Sequence, residues 1–81
     1  MKSSDILLSL QGEDLEVWKV GDEVCVQYRK AGVSEPGVII YTFGRGCNFE
    51  EACDDYLNKI RGKKLIFDAA SDARREITIL G

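Results

Sequence analysis

Glu50, Glu51, Asp54 and Asp55 set four carboxylates along one short stretch, and Glu13, Asp14, Glu16, Asp22 and Glu23 gather a second acidic group upstream. Paired acids can exchange protons as general acid and base or hold a divalent metal. Neither an EF-hand loop nor a nuclease-like spacing is present, so the readings that remain are a solvated helix face and an acidic surface that docks on a basic partner or mimics nucleic-acid phosphate. Lys59, Arg61, Lys63 and Lys64, with Arg74 and Arg75, form the basic cluster of a chain whose formal net charge is −3. Clustered cations contact phosphates, best with exposed aromatics that stack bases. The neighbouring aromatics Tyr56 and Phe67 fit an apolar core pattern instead, and a basic helix end or lysine-guarded strand edges would look the same.

Phe43-Gly44-Arg45-Gly46-Cys47-Asn48 is a glycine-rich link into a helix start, the kind of place where free backbone N–H groups hold an anion. It lacks the Walker lysine and hydroxyl and does not complete G-x-G-x-x-G, and Glu50 and Glu51 would bring negative charge close to a phosphate. A structural turn and an anion site assisted by Arg45 both stand. Cys25, Cys47 and Cys53 form no C-x-x-C pair, and the chain has no histidine. A zinc site would need three thiolates and a carboxylate or water, whereas free cysteines pack as small hydrophobes. Without histidine the usual general base near neutral pH is missing, and a Cys47 thiolate at the helix start has no base beside it. No catalytic residue, metal ligand or cofactor is therefore assigned.

The elements that position these groups follow from periodicity. Phe49, Ala52, Cys53, Tyr56, Leu57 and Ile60 recur at helical spacing, which predicts an amphipathic helix over residues 49–61. Asn48 suits the N-cap, Glu51 a capping box, and Gly62 the left-handed stop. Alternation around Gly21-Asp22 predicts a hairpin of strands near 15–20 and 24–29; Trp18 and Tyr28 alternate with apolar neighbours there, so one of them falling on the outer face would mark an interface. Residues 31–37, with Gly32, Ser34 and Pro36, read as a loop. The near-continuous apolar run at 38–43 reads as a central strand, 64–67 and 75–80 as two more, and 5–10 as a strand in preference to a capped helical turn. The expectation is a single α+β domain over residues 1–81, an antiparallel sheet of four to six strands packed on one amphipathic helix. With 44% hydrophobic and 31% charged residues the balance is globular. No apolar run reaches the length of a membrane span and no signal-peptide pattern is seen, which points to the cytoplasm.

The stretch FEEACDDYLNKIRGKKLIFDAASDARREI, residues 49–77, resembles small uncharacterised proteins encoded by bacteriophages and prophages. The shorter GCNFEEACDDYLNKI is similar to the strand-to-helix junction of HicB-type antitoxin domains, which have a partial RNase H-like α+β fold. Neither transfers a site residue. The first resemblance implies a viral or mobile-element origin more than an activity; with the small size, acidic balance and lack of histidine it leads to the expectation of a non-enzymatic inhibitor of a host factor, such as a defence nuclease, acting in the host cytoplasm through Glu50, Glu51, Asp54 and Asp55. The alternative is a module binding nucleic acid or a phosphorylated ligand through Arg45, Lys59, Arg61, Lys63 and Lys64. One helix over a wide sheet leaves apolar surface to be covered, which suggests a homodimer through the open face.

Overall fold

The computed structural model describes residues 2–10 and 14–79. In chain order these form α1 (Ser3–Leu8), β1 (Leu15–Val20), β2 (Glu23–Tyr28), β3 (Ala31–Glu35), β4 (Val38–Ile40), β5 (Gly44–Gly46), α2 (Phe49–Ile60), β6 (Lys64–Phe67) and β7 (Arg75–Thr78). The strands make two antiparallel sheets, ordered β1-β2-β5 and β4-β3-β6-β7, so the class is α+β as the periodicities predict, with two sheets in place of one. Glu13 and the expected strand end at Leu80 lie outside the described residues.

The helical stripe holds the core together. Ala52, Cys53, Tyr56, Leu57 and Ile60 are buried on α2 and pack with Val26 and Tyr28 of one sheet and with Ala31, Val33, Leu65 and Phe67 of the other. Burying each larger side chain stabilises by about 1.5–3 kcal/mol, more than a cap of about 1 kcal/mol, so packing decides where α2 sits. The ends follow the capping rules: the Asn48 side chain accepts the Glu51 N–H at 2.9 Å, and Gly62 takes φ +75° just after the C-cap Arg61. Tyr28 is the hub, with the rings of Tyr56 and Phe67 each 5.8 Å away by centroid. The Tyr56 hydroxyl accepts the Tyr28 N–H at 3.0 Å, and the Tyr28 hydroxyl donates to the Leu7 carbonyl at 2.6 Å.

Three expectations are corrected. The segment read as a strand near 5–10 is the short helix α1. Six residues are marginal as an isolated helix, but one face buries Ser4 and Leu7 against the body of the protein, where Ser4 bonds Glu50 and the Leu7 carbonyl accepts the Tyr28 hydroxyl. The loop read over 31–37 is mostly β3, whose Ala31, Gly32 and Val33 are buried. Only Pro36-Gly37 is turn, joining Glu35 to its partner Val38 with Gly37 at φ +82°, the glycine position of a type II turn. The apolar run at 38–43 is not a central strand. Its first residues form the edge strand β4, and residues 41–43 leave that sheet so that β5 can pair with β2 in the other.

Candidate binding surface

Strand β5 carries Arg45 and meets the helix carboxylates Glu51 and Asp55. Its glycines alternate toward α2: a side chain at Gly46 would lie 2.5 Å from Glu51 Cβ and 2.8 Å from Ala52 N, so the strand rests directly on the helix main chain. Gly44 and Gly46 pair with Val26 and Val24 of β2, which turns the N–H groups of Arg45 and Cys47 outward. Helix carboxylates meet them. Asp55 accepts the Arg45 N–H at 3.0 Å and Glu51 the Cys47 N–H at 3.1 Å, closing the outer edge of β5. The glycine link is thus a strand with its N–H groups satisfied, and Glu51 reaches Cys47, one residue before the N-cap, where a capping box was expected at Asn48.

The other carboxylates divide. Glu50 accepts the Ser4 hydroxyl at 2.6 Å and the Ser4 N–H at 3.2 Å, tying α1 to α2. Asp54 is exposed. Asp55 also receives the Lys59 ammonium at 2.9 Å. Partial burial would raise its carboxyl pKa, but the hydrogen bonds from Lys59 and the Arg45 N–H, with the charges of both, outweigh this and hold it below the ordinary value. Burial and the nearby Glu50 and Asp54 carboxylates push the Cys53 thiol up to about 11, so it is an unreactive core thiol at neutral pH, whereas Cys47 is exposed.

The cations are equally engaged with neighbours. Arg45 lies 3.8 Å from Glu23, Lys63 3.2 Å from Glu35 and Lys64 3.4 Å from Glu76. Lys59 donates in addition to the Phe43 carbonyl and sits 5.8 Å above the Phe43 ring. Arg61 is exposed at the end of α2. Of the five basic residues proposed as ligand contacts, Lys59 and Lys63 come together, lining a cleft of about 330 Å3 with Asn58, Thr42 and Glu35 over a floor of Val33 and Ile40. Arg45, Arg61 and Lys64 do not line it. Such exposed pairs add little stability, but Arg45, Lys59, Lys63 and Lys64 each have an anion at hand, which lowers the positive potential presented to a polyanion.

What stays unmatched is apolar. Val17, Trp18 and Val20 of β1 are exposed, as are Val38, Ile40, Tyr41 and Phe43. The two groups meet where the Trp18 and Phe43 rings approach to 5.9 Å. The register puts Trp18 opposite Cys25 and Cys25 opposite Arg45, on the sheet face turned away from α2, while Tyr28 lies on the core face. Tyr41 is 59% exposed, the most open aromatic among the described residues, and lines a second cleft of about 320 Å3 with Lys30 and Asp68. Sequence reasoning singled out Trp18 and missed Tyr41 and Phe43, because it assigned them to a buried strand.

Among the described residues no group of Cys, Asp and Glu side chains converges as metal ligands, and no helix is long and apolar enough to cross a membrane. No protein family, no curated protein and no solved structure is matched by this chain.

Proposed function

We propose that the chain is a small non-enzymatic binding protein that docks on another protein through Trp18, Phe43 and Tyr41. The observation that carries this reading is the exposure of those aromatics, with the Trp18 and Phe43 rings 5.9 Å apart, on a molecule whose helix carboxylates Glu50, Glu51 and Asp55 are occupied by Ser4, the Cys47 N–H and Lys59. Aromatic residues are enriched where proteins associate, because each covers a large area with few rotatable bonds. Exposed Asp14, Glu16, Asp22 and Glu23 surround β1, so the fitting partner has an apolar centre and a basic rim. The origin expected from the phage-like segment makes that partner a host protein, such as a defence nuclease. This part rests on the resemblance and on small size, not on the surface.

The test uses the tagged chain as bait in lysate of its host, comparing wild type with the Trp18→Ala/Phe43→Ala double variant and with Asp54→Lys. A stoichiometric protein held by wild type and Asp54→Lys, but lost from the double variant and at high salt, is the expected result. Retention by the double variant with loss from Asp54→Lys would move the site to the acidic helix face. The second reading, a phosphorylated ligand, is favoured only by the Lys59–Lys63 cleft; it requires binding of phosphate or nucleotide that Lys63→Ala abolishes.

A further inference from the structure

We infer that β1 is a self-pairing edge and that two copies of this chain associate through it as an antiparallel dimer, with Val17 on the two-fold axis. The ladder fixes which groups point outward. The Arg29 N–H donates to the Asp14 carbonyl at 2.8 Å, so Asp14 and Arg29 form a hydrogen-bonded pair. By alternation the pairs Glu16–Gln27, Trp18–Cys25 and Val20–Glu23 are bonded as well, and the N–H and C=O groups of Leu15, Val17 and Lys19 face away from β2. Among the described residues nothing meets them.

The other edges are guarded. The outer N–H groups of β5 are taken by Glu51 and Asp55. Strand β4 has three residues and begins at the Pro36-Gly37 turn, while β7 has four and carries Arg75 and Glu76. Strand β1 has six residues in unbroken register, without proline or bulge, and leaves Val17 52% and Val20 60% exposed. An edge of this length, with apolar residues exposed and no proline or bulge to guard it, is open to pairing with a further strand.

A second copy is the occupant because this edge is its own complement. A two-fold at Val17 sets Val17 against Val17 of the partner subunit, Leu15 against Lys19 of the partner subunit, and Glu16 against Trp18 of the partner subunit. Every outward residue then meets an outward residue and exchanges both main-chain bonds, and no like charges stand opposite each other. The two three-stranded sheets become one continuous sheet. Because each chain carries a net charge of −3, screening by salt tightens this association. That dependence is opposite to the one expected for the basic-rimmed partner above, so the two readings fail separately.

Analytical ultracentrifugation over a dilution series tests it. Wild type is expected to show a reversible monomer–dimer equilibrium that strengthens with salt. Val17→Pro removes an outward N–H that the β1–β2 ladder does not use, and is expected to be monomeric with an unchanged far-UV spectrum. Val17→Lys and Val17→Glu each place like charges on the axis and should weaken dimerisation about tenfold, while their mixture restores it as a heterodimer. A wild type that stays monomeric throughout, a dimer unchanged in Val17→Pro, or a mixture no tighter than either variant alone would overturn the proposal. If Val17→Pro fails to fold, the charge-swap mixture decides.

Discussion

Replacing Gly44 with alanine tests whether β5 truly rests on the backbone of α2. The added methyl would lie 2.5 Å from Tyr56 N and closer still to the Ala52 carbonyl oxygen and Tyr56 Cβ. Ordinary carbon contacts begin near 3.5 Å, so strand and helix must part by about 1 Å. Neither side yields easily, because two of the obstructing atoms are main chain in the middle of a helix. Overpacking of this type costs about 1–3 kcal/mol, occasionally more. The shift also stretches the 3.0 Å and 3.1 Å bonds from the Arg45 and Cys47 N–H groups to Asp55 and Glu51, at about 0.5–1.5 kcal/mol each. The expected total is about 2–6 kcal/mol. An 81-residue chain has roughly 4–12 kcal/mol of stability at ordinary values per residue, so Gly44→Ala should be severely weakened or unfolded. The control is Gly37→Ala, where the new methyl meets open space and the cost, about 1–2 kcal/mol, comes from the positive φ alone. Urea unfolding of both variants against wild type measures the difference. A Gly44→Ala variant no less stable than Gly37→Ala would refute the close approach.

Two further outcomes follow from the core and from α1. Folding raises the Cys53 thiol from 9.0 to about 11 and the buried Tyr56 phenol from 10.0 to about 12, the latter despite the opposing hydrogen bond from the Tyr28 N–H. Both groups fold in their neutral forms, so their contribution is complete below pH 9 and is lost as the pH rises through 12. Urea midpoints should fall across that window, with Tyr56→Phe flattening its upper half; a midpoint constant to pH 12 would contradict the assignment. Glu50→Ala removes the acceptor of both Ser4 donors, at about 1–3 kcal/mol. Amide exchange at Ile6 and Ser9 should then quicken well before the core opens, and equal protection in variant and wild type would show that Glu50 does not secure α1.

The parts of the fold legible in the sequence are those whose signal is local. The stripe from Phe49 to Ile60, with Asn48 and Gly62 at its ends, and the Gly21-Asp22 hairpin, which joins Val20 to Glu23, each bring their own period and punctuation. What escaped depends on distant partners. Gly32 reads as a breaker, yet it is buried in β3 because Ile39 and Tyr41 occupy the space a side chain would need. Gly44 and Gly46 read as a turn into the helix or an anion site, yet they are glycines because a helix that follows in sequence lies against them. Leu7 helps fix α1 as a helix through a tyrosine two strands away. At the candidate surface, composition located the acids but not their hydrogen bonds, and an apolar run that suits a core strand proved to supply exposed rings.

The position of Trp18 has a spectroscopic consequence. It is the sole tryptophan, 36% exposed and tilted against the Phe43 ring on the face turned from α2. Two of the three tyrosines, Tyr28 and Tyr56, lie in the core. Indole emission selectively excited at long wavelength therefore reports on the outer sheet face rather than on the packing of the core. Occupation of that face would shift and brighten the signal while the environment of the core tyrosines Tyr28 and Tyr56 stayed constant, so the chain carries its own optical probe of docking.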